Sequence, residues 1–78
     1  MELSVKETLQ NWIKQHRLSQ NLTQKDLARA AGVSRQSIIS IERGRYVPSL
    51  PLALRLARIF HCPVEDLFRL EGEETETP

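Results

Sequence analysis

The chain has one cysteine, Cys62, so it can form no internal disulfide, and nothing marks it as a disulfide-stapled secreted domain. No apolar run approaches the ~18 residues of a membrane span, and no basic-then-apolar leader opens the sequence. A reducing, cytoplasmic setting is expected. Also missing are paired carboxylates, a nucleophile–base arrangement and a phosphate-cradling glycine loop, so no enzyme is expected. His61 beside Cys62 falls short of the four ligands of a zinc site, and no metal, cofactor or small-molecule ligand is expected. Glycine and proline are sparse, at three and four residues, and strand-like alternation is not evident. The fold class expected is therefore all-α. With 78 residues the chain makes one domain at most. A domain of this size buries only somewhat more than ~60% of its unfolded surface, which leaves no room for a deep, layered pocket.

Charge is abundant, and its balance hides a segregation. The 11 Lys and Arg against 10 Asp and Glu sum to +1. Glu71, Glu73, Glu74 and Glu76 crowd the last eight residues, leaving 11 basic against 6 acidic groups, or +5, over Met1–Leu70. Between Arg17 and Tyr46 stand six basic and two acidic residues. A basic middle and an acidic tail fit a polyanionic partner, and a solvated charged surface is the plain alternative. Two segments result: a domain over 1–70 and an acidic tail over 71–78, Thr-rich and unable to bury anything, which is expected to be disordered.

Five helices are predicted. Ser4 with Glu7 reads as a capping box that opens the first, running to about Gln20, with Leu9, Trp12, Ile13 and His16 inward. Asn21 ends it in the left-handed conformation. Thr23 with Asp26 starts the second, whose apolar face is Leu27, Ala30 and Ala31, and Gly32 stops it. Ser34 caps the third, which runs to about Arg43 with Ile38 and Ile41 inward, and Gly44 ends it. Ser49 opens the fourth through Phe60, with Leu50, Ala53, Leu54, Ala57 and Phe60 as its apolar face. Pro63 opens a short fifth, with Leu67 and Phe68 inward.

The second and third helices, joined by a tight glycine turn, have helix-turn-helix geometry, which sets the second of the pair in a DNA major groove. Leu27, Ala31, Val33, Ile38 and Ile41 pack the two together. Ala28 is small at their closest approach, and Gly32 sits where positive φ is needed. The linked series Arg17, Leu22-Thr23-Gln24, Asp26-Leu27-Ala28, Gly32-Val33-Ser34-Arg35-Gln36, Ile41-Glu42-Arg43-Gly44, Pro48-Ser49-Leu50 and Glu65-Asp66-Leu67-Phe68 resembles the phage-repressor or Cro-like (XRE-type) DNA-binding family over roughly Leu9–Phe68. The resemblance implies a compact five-helix lambda-repressor-like domain whose third helix reads double-stranded DNA. It also implies a small prokaryotic or phage-type transcriptional regulator at the nucleoid, working as a homodimer on a pseudo-palindromic operator.

The chemistry of the third helix fits. Arg donates two hydrogen bonds to guanine O6 and N7, and Gln pairs with adenine N6 and N7. Arg35 and Gln36 are the expected base readers, with Ser40 as a shorter-reach third. Ser34, Ser37, Lys25, Arg43 and Arg45 are expected at the sugar–phosphate backbone. The resemblance assigns Gln24 a phosphate contact and a bracing role. It also implies a structural salt bridge from Arg17 to Glu42, which takes Glu42 out of contact with DNA.

Some positions depart from the family. His16 stands where Leu is usual, followed by Leu18 where a polar residue is common. His61-Cys62 replaces Gly-Val, which puts the turn before the last helix in doubt. Ile39 faces outward, either pressing on a thymine methyl or backbone or standing as a surface hydrophobe. Leu52, Leu56 and Ile59 form a second apolar stripe on the fourth helix. With Leu70 they are either a dimer surface, as the family favours, or packing against the first helix near Trp12. Another class of role, an antitoxin-like or adaptor module, would use the same stripe to hold a protein partner.

Overall fold

The computed structural model describes residues 8–71. Its elements run β1 (Thr8–Asn11), α1 (Ile13–Ser19), α2 (Gln24–Ala31), α3 (Arg35–Glu42), α4 (Leu50–Phe60), a single 3-10 turn (Val64–Asp66) and β2 (Phe68–Glu71).

The all-α, five-helix expectation needs correction at both ends. Residues 8–11 belong to a strand, and the place of a fifth helix is taken by the 3-10 turn and β2. β1 and β2 pair antiparallel, with Thr8 opposite Glu71 and Asn11 opposite Phe68. The Trp12 amide continues the join by donating to the Leu67 carbonyl at 2.9 Å. Along β1 exposure alternates, with Leu9 and Asn11 half-buried and Thr8 and Gln10 outward, which is the period of a strand. The spacing of Leu9 to Trp12 and Ile13 mimics a helix, and pairing with a distant segment decides otherwise. The Ser4–Glu7 capping box lies outside the described residues. So does the acidic tail beyond Glu71, which itself closes β2.

The middle of the chain forms for local reasons. Asn21 takes φ 57°, turning the chain after α1. Thr23 caps α2 reciprocally: its Oγ1 accepts from the Asp26 amide at 2.9 Å, and its own amide donates to Asp26 Oδ2 at 3.0 Å. The hydrogen bond from the Thr23 backbone amide to the carboxylate, followed by the Thr23 hydroxyl, holds the Asp26 carboxyl below its ordinary value. Gly32 ends α2 at φ 73°, a conformation that costs a side-chain-bearing residue energy. Ser34 Oγ then accepts from the Ser37 amide at 3.1 Å to start α3. Arg55 of α4 reaches back, and its Nη1 donates to the Ala31 carbonyl at 2.8 Å, satisfying a carbonyl at the end of α2.

One core holds the helices. Ile13, Leu27, Ile38, Ile41, Leu56 and Leu67 are fully buried at its centre. The inward face of α2 is Leu27, Ala28 and Ala31, with Ala30 exposed. On α4 the expected face is corrected too. Leu52 (6% exposed) and Leu56 (0%) are core, together with Ala53, Ala57 and Phe60. Leu50 (68%) and Leu54 (51%) point outward. The stripe read as a dimer surface is thus mostly interior, with Ile59 half-buried against the core and only Leu70 exposed. Periodicity could not choose between the faces, because α4 is apolar around most of its circumference. Ser49 caps it by accepting from the Leu52 amide at 3.2 Å, and His61 ends it at φ 56°. His61 does adopt the left-handed form, although it lacks the freedom of glycine.

Candidate nucleic-acid interface

The face begins at its most buried point. Arg17 of α1 and Glu42 at the end of α3 make a two-pronged ion pair, Nε to Oε2 at 2.7 Å and Nη2 to Oε1 at 3.2 Å. Their side chains are only 8% and 5% exposed. Arg17 Nη1 also donates to the Leu22 carbonyl at 3.0 Å, and Gln24 Nε2 donates to Glu42 Oε1 at 3.1 Å. One carboxylate thereby fastens α1, the start of α2 and the end of α3. Gln24, expected to reach outward, is held by Glu42.

Two depressions flank α3. The first lies between α1, α2 and α3, with Gln24, Lys25, Arg35 and Arg43 on its walls, together with Lys14. Among the described residues Glu42 is the one carboxylate lining it, and that charge is taken up by Arg17. A polyanion seated here meets, among the described residues, cations and no free acid. Ile39 lines the same depression beside Leu18 and Leu22. Two of the departures, Ile39 and Leu18, therefore stand together as a patch of apolar floor.

The second depression, on the opposite flank, gathers Ser34, Gln36, Ser37, Ser40, Arg45 and Tyr46. Gln36 Nε2 lies 3.5 Å from Ser40 Oγ, and the Ser34 and Ser37 hydroxyls are 3.1 Å apart. Arg35 and Gln36 are exposed at the helix start, and among the described residues they have no polar partner shorter than that Gln36–Ser40 approach, so their side chains are available to an outside ligand. All the expected readout and backbone residues thus fall on the two walls of α3.

Lys14 and Tyr46 also line these walls, although the sequence reading did not single them out. For Lys14 a signal existed: it stands on the helix of Arg17 and Leu18, at the spacing that places i and i+4 on one face. Tyr46 had only its neighbour Arg45 to mark it.

His16 lies elsewhere. Its Nδ1 donates to the Trp12 carbonyl at 3.0 Å, and its ring packs 5.7 Å from Phe60, so it is a half-buried core residue. Cys62 is half-buried, and burial pushes its thiol up. Among the described residues no three His, Cys, Asp or Glu group to hold a metal, and no helix is long and apolar enough to cross a membrane.

Comparison with known proteins bears on this arrangement. The Helix-turn-helix family model HTH_3 matches residues 13–67. An uncharacterized HTH-type transcriptional regulator of Methanocaldococcus jannaschii is 50% identical over 66 residues, covering 85% of this chain and all of that protein. The HTH-type regulator YgzD of Bacillus subtilis is 42% identical over 65 residues, covering 83% of this chain and 98% of its own. Among solved structures, the restriction-modification controller protein C.AhdI of Aeromonas hydrophila superposes with a TM-score of 0.65 at 28% identity, over 69% of this chain and 82% of its own. The regulator VanUg shares the fold at TM-score 0.73 and 17% identity, over 94% and 99% of the two chains. With its paired helices, its glycine turn and matches that span nearly all of each relative, the chain belongs to the XRE-type helix-turn-helix family of transcriptional regulators.

Proposed function

We propose that this regulator binds double-stranded DNA in a sequence-specific manner, as a homodimer on a pseudo-palindromic operator, with α3 in the major groove. Arg35 and Gln36 read base edges, with Ser40 as a shorter third reader. Gln24, Lys25, Ser34, Ser37, Arg43 and Arg45 hold the sugar–phosphate chains on either side. The observation that carries this reading is the neutralisation of Glu42. The wall beside Arg35 presents Lys14, Lys25 and Arg43, and its one carboxylate among the described residues is buried against Arg17.

The homodimer would place half-sites about one DNA turn (~34 Å) apart. With Leu52 and Leu56 inside the core, the exposed Leu50 and Leu54 of α4, together with Leu70, are the apolar residues on this part of the described chain that would join two copies.

Selection of bound sequences from a random DNA pool tests binding, symmetry and base preference at once. A two-fold motif with one-turn spacing is expected. No enrichment at moderate salt, with an unrelated protein copurifying in fixed ratio, would replace this reading with the adaptor role.

A further inference from the structure

Asn11 is the last residue of β1, and its side chain bonds in two directions. Oδ1 accepts from the Ile13 amide at 3.2 Å, which steadies the opening of α1. Nδ2 donates to the Ile41 carbonyl at 2.8 Å, across thirty residues of sequence. That carbonyl also accepts from the Gly44 amide at 2.9 Å, so both of its lone pairs are engaged. The Arg45 amide follows, donating to the Ser40 carbonyl at 2.9 Å. The side chain of Asn11 therefore touches the last turn of α3 at the point where the chain leaves the helix towards Arg43, Arg45 and Tyr46. Asn11 also lines a small groove with Gly44 and Tyr46, so it lies against the segment it bonds.

We infer that Asn11 is a positioning residue for DNA recognition. Through the Ile41 carbonyl it fixes the exit of α3, and with it the Arg43–Tyr46 segment, relative to the β1–β2 sheet. It acts at a distance from DNA: the β1–β2 ladder holds Asn11, Asn11 holds the helix end, and the helix end aims the backbone-binding arginines. Gly44 at φ 74° makes this exit a tight turn, so a small change in its anchor re-aims the residues beyond it. The inference rests on the DNA-binding reading above.

The variant Asn11→Asp separates the two bonds. It keeps an oxygen for the Ile13 amide, and a carboxylate suits the start of a helix. It has no donor for the Ile41 carbonyl and repels it instead. Two measurements on the full chain decide the matter. The first, amide hydrogen exchange of the free protein, needs no DNA. Gly44 and Arg45 are expected to exchange about tenfold faster while the amides of α2 and α4 keep their rates. The second is affinity for the selected site. It is expected to fall about fivefold further than random-sequence affinity, because the added negative charge weakens all duplexes alike whereas the lost geometry weakens only the specific complex. Unchanged exchange at Gly44 and Arg45 would overturn the inference, and so would faster exchange with no greater loss of affinity on the selected site than on random sequence. An equal rise in exchange across every helix would make Asn11 a general stabiliser and overturn it as well. A chain that binds no DNA in the first place would sink the proposed function, while the exchange data would still judge the anchor.

Discussion

Arg35 and Gln36 are neighbours in sequence, yet they head opposite walls of α3, because successive residues of a helix point about 100° apart. In the proposed complex each then reads a different part of the site. Arg35→Ala is expected to cost ~1–3 kcal/mol on the selected sequence and to relax preference at one base pair. Arg45→Ala should weaken all sequences alike and reduce the salt slope by about 1. Titrations on selected and scrambled duplexes at several salt concentrations separate the two, and equal losses for Arg35→Ala on both duplexes would remove it from base readout. Glu42 acts differently. Replacing it by Ala strands a buried guanidinium, at a cost of about 3–5 kcal/mol, and should lower the melting temperature by more than roughly 10 °C. An unchanged melting curve would show that the pair contributes nothing.

At the scale of elements, two helix ends make opposite predictions. His61 ends α4 in the left-handed region, where a Cβ is costly and glycine is not. His61→Gly should therefore stabilise the domain by about 1 kcal/mol, seen as a rise in melting temperature. At the start of α2 the capping carboxylate of Asp26 is held below its ordinary 3.8, chiefly by the hydrogen bond from the Thr23 backbone. Because the folded value is the lower one, its contribution is complete above 3.8 and disappears as the pH falls through the folded value. Asp26→Asn keeps the geometry without the charge. Wild type should melt higher at neutral pH, and the two curves should converge in strong acid. A gap that persists in acid would mean that the charge of Asp26 has no part in it.

Over the whole molecule, what could be read from sequence follows the range of the forces involved. α2, the glycine turn and α3 are bounded by local signals: Thr23 with Asp26, Gly32, Ser34 and Gly44. Each acts within a few residues, and so each was legible. The Arg17–Glu42 pair was visible only through family resemblance, since nothing local links residues 25 positions apart. The sheet was not legible, because β1 becomes a strand only when β2 lies beside it. The buried side of α4 was hidden for another reason: Leu50, Leu52, Leu54 and Leu56 offer two apolar faces, and only the packing of the other elements selects one. Asn11 escaped notice because its value lies in one carbonyl at the far end of α3. The charge segregation, in turn, was plain from composition, and +5 over residues 1–70 agrees with a cationic wall along α3.

Joining the first described residue to the last has a kinetic consequence. The helices can form and dock through contacts made mostly over short stretches of chain, but Thr8 meets Glu71 only after nearly the whole sequence has been gathered in. Closing so long a loop is entropically unfavourable until the core has already brought its ends together. The sheet should therefore zip up after the folding barrier and be undone early on the way out. A destabilising change in β1, such as Leu9→Ala, is expected to speed unfolding while leaving the folding rate nearly untouched, a φ-value close to zero. A matching change at Ile38, between α2 and α3, should slow folding instead. Stopped-flow chevrons of the two variants would show whether the strands that close the fold are also what sets its lifetime.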